Sequence, residues 1–189
     1  MTTLNIHSKE TARPESAGLL GEAEKAYGFI PNLLGVFAES PAVLKAYLTI
    51  GSIFDESSFS PTERQVVILA ASRFNECHYC MAAHSVAADM QGVPADVVEA
   101  IRNDQQIADN RLEALRNFTT AVVEKRGWVS DDDIAAFVGA GYSKAQVLEV
   151  VLGVSFKTIS NYTNHIADTP VDDAFATRAW QPVRQQLAG

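Results

Sequence analysis

The sequence predicts an all-α, single-domain helical bundle. Apolar residues recur at helical spacing along nearly the whole chain, serine-led helix starts precede several of the apolar stretches, and neither an Asn-Gly or Asp-Gly hairpin turn nor sustained β-branched alternation occurs. At 189 residues the chain is long enough for one core, burying roughly 70% of the unfolded surface, and too short for two ordinary domains.

Residues 1–15 read as an extended polar segment, with His7 disordered within it, and residues 16–189 as the helical domain. A first helix is expected from Ser16 to Ala26, ended near Gly28. Pro31 and Pro41 divide the next stretch into two short helices, because proline suits a first turn and not an interior. Leu33, Leu34, Val36 and Phe37, then Val43, Leu44, Tyr47 and Leu48, form their core stripes. Ser60-Pro61-Thr62-Glu63 carries an N-cap, an N1 proline and a capping box, so a helix is expected from Pro61 to Phe74. Asn75-Glu76 interrupts it. A new helix begins near Cys77 and stops by Gly92-Val93-Pro94. Further helices are expected over Pro94–Arg102, Arg111–Lys125, Asp131–Ala140 and Lys144–Ile166, the last with a Ser143/Gln146 capping box and with Val147, Val150, Val151, Val154, Ile159 and Tyr162 on its buried side. Asp172–Gln186 reads as a terminal helix weakened at Pro182.

Fifteen Lys and Arg against 23 Asp and Glu give a net charge of −8, which leaves little basic surface for phosphates. Nucleic acid and anionic membrane are therefore excluded as partners. No apolar run approaches the ~18 residues of a membrane span; the densest is Val66–Ala71. The polar N-terminus lacks the apolar stretch of a secretory signal, and a cytoplasmic protein is expected. In that compartment two cysteines point to redox or metal chemistry rather than a structural bridge.

Both cysteines and two of the four histidines fall within Glu76-Cys77-His78-Tyr79-Cys80-Met81-Ala82-Ala83-His84. Residues three and four apart share a helix face, so Cys77, Cys80 and His84 line up over two turns. Thiols at i and i+3 have Cα atoms about 5 Å apart, within disulfide range. The start of a helix lowers a thiol's pKa, which favours Cys77, whereas His84 at i+4 favours Cys80 as the activated nucleophile. A proton acceptor in contact outweighs a field effect of about 0.3–1 kcal/mol, and the balance leans to Cys80.

The segment SPTERQVVILAASRFNECHYCMAAHS resembles the AhpD-like alkylhydroperoxidase branch of the carboxymuconolactone decarboxylase family, marked by a Cys-x-x-Cys-x-x-x-His helix after a capped helix. IPNLLGVFAESPAVLKAYL and NYTNHIADTP are similar to the branch of peroxidase-related proteins. The resemblance implies a helical bundle of AhpD-like type and a thiol-dependent peroxidase that reduces organic hydroperoxides through a disulfide cycle. It makes Cys80 the peroxidatic cysteine, Cys77 the resolving cysteine and His84 the proton relay. It further implies a dithiol, thioredoxin-like or lipoyl electron donor, no cofactor, and a homo-oligomer, trimer or hexamer. The relay glutamate that the family places twelve positions before the first motif cysteine is here Gln65, which orients water or imidazole but accepts no proton, so weak turnover is expected. A second histidine is replaced by Tyr79. Glu63, two positions from Gln65 on its helix, is expected to point elsewhere.

Other readings stand beside this one. The cysteines could be small buried hydrophobes, or zinc ligands with His84 and a fourth group from Glu76, His78, His165 or water. The chain could be a non-catalytic thiol redox sensor, or a lyase like the family's decarboxylases, although those generally lack the cysteine pair. His78 is expected exposed, His165 to interact with the C-terminal dipole of its helix, and Phe37, Phe74, Tyr79 and Phe156 to be core residues.

Overall fold

A computed structural model gives the structure of residues 4–182. Among them lie nine α-helices and no strand: α1 (Pro14–Tyr27), α2 (Asn32–Phe37), α3 (Pro41–Asp55), α4 (Pro61–Phe74), α5 (His78–Met90), α6 (Ala95–Arg102), α7 (Asn110–Glu124), α8 (Asp131–Gly139) and α9 (Lys144–Ala167), followed by a 3-10 turn over Asp173–Arg178. No helix among the described residues is long and apolar enough to cross a membrane.

Boundaries follow local chemistry. Ser60, Ser130 and Ser143 each close a capping box with the residue three positions on, which satisfies amides that the first turn leaves free. Between α4 and α5, Glu76 takes a left-handed φ of 54°, turning the chain so that Cys77 becomes the N-cap of α5.

The α4 helix is the axis of the fold. Its residues 65–72 are all buried, because α5, α6, α7 and α9 surround it. The Val66–Ala71 run thus serves a central core helix, apolar on every side. One apolar cluster joins α4 to α6–α9. A second contains Leu20, Leu34, Phe37, Leu44 and both cysteines, and Tyr47 packs against the two. The cysteine helix therefore starts at the seam between the cores.

Four expectations are corrected. His7 is held in place: its N–H donates to the Gly35 carbonyl at 3.0 Å and Nε2 meets Glu39 Oε2 at 2.7 Å. A Cβ at Gly35 would come within 2.9 Å of the His7 carbonyl, so glycine permits this contact. Among the described residues the expected terminal helix is the 3-10 turn alone, and residues 183–186 of the expected span lie outside them. Ala179 leaves helical geometry at ψ 143°. Arg102 captures the carbonyls of Arg178 and Ala179, and the Trp180 indole donates to the Arg102 carbonyl, so the backbone's partners are tertiary. Phe74 is exposed at the end of α4, and Val43 is likewise outside the core. Finally, the inner face of α9 is largely polar: Lys157, Ser160, Asn161 and Asn164 are buried, while Val151 and Tyr162 face outward.

The close approach of α9 to α3 and α4 depends on Gly153. A Cβ there would lie 2.6 Å from Val67 Cγ1 and 2.8 Å from Phe54 Cζ. Gly153→Ala is expected to destabilise the fold by about 1–3 kcal/mol through overpacking, outweighing alanine's helix propensity. Calorimetry should show the Tm falling by about 2–10 °C; an unchanged Tm would contradict this packing.

Candidate active site

Cys77 and Cys80 are free thiols, each 1% exposed. Asn164 brings them to one point from the facing helix, its Nδ2 lying 3.6 Å from Cys77 Sγ and 3.4 Å from Cys80 Sγ. Ser160 Oγ is 3.6 Å from Cys80 Sγ.

The arrangement splits the thiols electrostatically. Burial opposes ionisation of Cys80, but hydrogen bonding with Cys77, the charge of Lys157 and hydrogen bonding with Ser160 and Asn161 outweigh it, holding this thiol well below its ordinary range. Donation to Cys80, then burial and the neighbouring negative charge, push the Cys77 thiol far up. Sequence reasoning gave the choice to His84. The structure adds a cation and a ring of α9 donors.

That cation, Lys157, is fully buried. Its Nζ donates to His84 Nε2 at 2.9 Å and lies 4.9 Å from the Phe156 ring. Burial first, and the Lys157 charge second, drive His84 well below the usual histidine range, so its ring is neutral. Because Nε2 accepts from Lys157, the single ring proton is assigned to Nδ1, a buried atom with no hydrogen-bond partner. A cation on Nε2 also disfavours a metal ion there, and among the described residues no three of His, Cys, Asp and Glu gather as a metal cluster.

Two cavities meet this centre from different sides. A groove of about 510 Å³ is lined by Leu34, Tyr47, Cys80, His84, Met90 and Phe175 among others, mostly apolar. A smaller pocket of about 210 Å³ is lined by Cys77, His78, Asn164, His165, Asp168 and Thr169. Tyr79 borders both. Its hydroxyl donates to Asp172 Oδ2 at 2.6 Å and accepts from the Leu33 N–H at 3.3 Å, while Asp172 also receives the Asn32 N–H. Burial and the Asp172 carboxylate push its phenol well up, so Tyr79 is a strut and stays protonated.

The remaining candidates separate. Gln65 is buried, its Nε2 donating to Gln91 Oε1 at 3.2 Å; Gln91 lines the groove and Gln65 does not. Glu63 is spent on the Ser60 cap and on Arg111. Glu76 and His78 are exposed. His165 is also exposed and borders the smaller pocket; burial and then His78 hold its pKa down. Sequence reasoning missed Lys157, Ser160, Asn161, Asn164 and Tyr47. The available signal was Val150, Val154, Lys157, Asn161, Asn164: one helix face that turns polar along its length.

No curated protein matches the sequence by direct comparison. The chain is similar in structure to an uncharacterized peroxidase-related protein of Ralstonia eutropha JMP134 described as an alkylhydroperoxidase AhpD core, with a TM-score of 0.82, 18% identity, and 92% of this chain and 94% of that one covered. It is also similar to an uncharacterized peroxidase-related protein of Silicibacter sp. TM1040, with a TM-score of 0.79, 17% identity, and 92% and 93% covered. A third is the debrominase Bmp8, a cysteine-to-alanine variant in complex with 2,3,4-tribromopyrrole, with a TM-score of 0.78, 16% identity, and 94% and 96% covered. Residues 41–124 match the Carboxymuconolactone decarboxylase family. The segment from α3 to α7, with both cysteines and His84, therefore belongs to the carboxymuconolactone decarboxylase family, and the chain has the AhpD-like helical fold.

Proposed function

We propose that this protein is a thiol-dependent peroxidase that reduces organic hydroperoxides in antioxidant defence. The observation that carries the reading is Cys80: a thiol favoured as thiolate by Lys157 and α9 donors, opening on a mostly apolar groove. The peroxide-related neighbours support it as relatives in fold.

In the proposed cycle Cys80 Sγ attacks the terminal oxygen of ROOH. The S–O bond forms as the O–O bond breaks, and the alkoxide leaves. His84 Nδ1–H gives it a proton while Lys157 passes one to Nε2, so ROH departs and Cys80 is left as sulfenic acid. The Cys77 thiol then condenses with the sulfenic acid, giving the Cys77–Cys80 disulfide and water. A dithiol restores both cysteines. Gln65 is outside the proton path and orients Gln91 on the groove wall. A cytoplasmic setting, where thiols stay reduced, fits this cycle.

The first test follows oxidation of the reduced protein by one equivalent of cumene hydroperoxide, with mass mapping of the cysteines. Cys80→Ser should abolish peroxide consumption, Cys77→Ser should accumulate sulfenic acid at Cys80, and His84→Ala should slow the step by about 10²-fold. Oxidation beginning at Cys77, or a single turnover that never becomes catalytic with any dithiol, would refute the peroxidase. Turnover of 2,3,4-tribromopyrrole without turnover of hydroperoxide would do the same.

A second test separates the role of Lys157 from packing. In Lys157→Met, the pH midpoint for alkylation of Cys80 by iodoacetamide should move up by at least about one pH unit, because a close opposite charge is removed. The sign follows from a depressed folded pKa: the thiolate persists above that pKa and is lost as pH falls through it. The Tm should hold or rise, since a buried cation gives way to an apolar chain. A falling Tm with an unmoved midpoint would make Lys157 structural.

We also propose that copies of the chain associate as a trimer or hexamer. Leu148, Val151, Tyr162 and Ile166 form an exposed apolar stripe along α9. Light scattering should find the oligomer for the native chain and a monomer for the Leu148→Glu/Ile166→Glu double variant. A monomeric native chain would refute association.

A further inference from the structure

We infer that the smaller pocket is the reductant's door: an incoming thiol binds there and attacks Cys77 Sγ, with the His165 imidazole as its base, while the peroxide uses only the groove at Cys80. This rests on the peroxidase reading and adds to it which sulfur the reductant attacks, where, and with whose help.

Three observations converge. The cavities divide the sulfurs, Cys77 lining only the smaller and Cys80 only the larger. Tyr79, pinned by Asp172, stands between them. The smaller pocket also carries unmet hydrogen-bonding capacity. Asn164 and Thr169 are 5% and 7% exposed, and Asn164 Oδ1 and Thr169 Oγ1 have no partner. Buried polar atoms left unpaired are costly, and here they border a space where a ligand can pair them. Among the described residues the groove borders one such atom, His84 Nδ1, which the proposed peroxide step uses.

Leaving-group chemistry points the same way. Thiol–disulfide exchange is faster when the expelled sulfur is the better-stabilised thiolate. Attack on Cys77 expels Cys80, which Asn164, Ser160 and Lys157 are placed to receive. Attack on Cys80 would expel Cys77, whose thiolate is disfavoured.

The step balances. The donor thiol gives its proton to His165, its sulfur bonds to Cys77 Sγ, the Cys77–Cys80 bond breaks, and the electron pair leaves on Cys80. The donor's second thiol then attacks the donor sulfur of the mixed disulfide, closing the donor's own disulfide and freeing Cys77. The donor is oxidised by two electrons. One of its protons ends on Cys77 through His165, and the other returns to the Lys157–His84 pair that supplied the alkoxide. His165 is suited to the task because its ring is neutral near pH 7. Around it stand Glu76 in the turn before α5, His78 at the start of α5, Asp168 just past α9, Cys80, and Tyr162, whose ring is 6.5 Å away.

The test starts from disulfide-form protein prepared with diamide, so it does not depend on peroxide turnover. 2-Mercaptoethanol is added with iodoacetamide, which caps whichever protein thiol is freed, and the products are mapped by mass. The mercaptoethanol adduct is expected on Cys77 and the carbamidomethyl group on Cys80; the reverse pattern, or an even mixture, overturns the proposal. With dithiothreitol, His165→Gln should reduce its disulfide at least about 10-fold more slowly at pH 7. It should also lose the histidine step of the rate–pH profile. An unchanged reduction rate and profile overturns the role of His165. Loss of peroxide consumption in the native protein with the Cys77 adduct intact would instead strike the peroxidase reading alone.

Discussion

A lysine with no exposure to water governs this molecule. Stripping an ammonium group of solvent costs several kcal/mol, which burial among apolar residues cannot return. Lys157 has a neutral imidazole at hydrogen-bond distance, an aromatic ring nearby and a thiol that its charge drives toward thiolate. Imidazole and ring solvate the cation without neutralising it. The Lys157 charge also bears on the Cys80 thiol, so the interaction that favours a thiolate there helps make a buried Lys157 tolerable. Packing and electrostatics meet at this one lysine.

That coupling explains why α9 is built as it is. Its 24 residues must lie close to α4 over Gly153 and then present amide and hydroxyl groups to sulfur. The first requirement needs a missing side chain, the second a polar inner face. Asn161 anchors that face by donating to Ser72 and accepting from Asn75 at the end of α4. Position and electrostatics thus come from successive turns of the same helix, and the thiols sit where the two apolar clusters meet.

Helix boundaries were legible in the sequence wherever a side chain acts on its own backbone. The capping serines, Pro61, and the Glu76 interruption act within four residues, so spacing alone places α4 and the start of α5. The Cys77, Cys80 and His84 alignment was legible for the same reason. What was hidden came from contacts distant along the chain. Lys157 meets His84 from 73 residues away, and on a one-dimensional pattern it reads as one polar residue in an apolar helix. The inner face of α9 departs from the expected stripe because apolar periodicity assumes an oily partner, whereas the partners here are two sulfurs, an imidazole and the polar end of α4. The terminal helix failed likewise: Arg102 takes carbonyls that local propensity would have given to the next turn.

Gln65 takes on a different meaning in this setting. A carboxylate beside an imidazole favours the imidazolium, and an acid relay of that kind stores its proton on the histidine. Here the Lys157 cation bears on Nε2, and burial and that charge both keep His84 neutral. A carboxylate buried at position 65 would face the neutral Gln91 amide rather than a cation, and its charge would go unpaired. A neutral amide bonded to Gln91 avoids that cost. In the proposed cycle the proton store has moved from a carboxylate–imidazole pair to an ammonium–imidazole pair, and glutamine at position 65 is the residue consistent with the move.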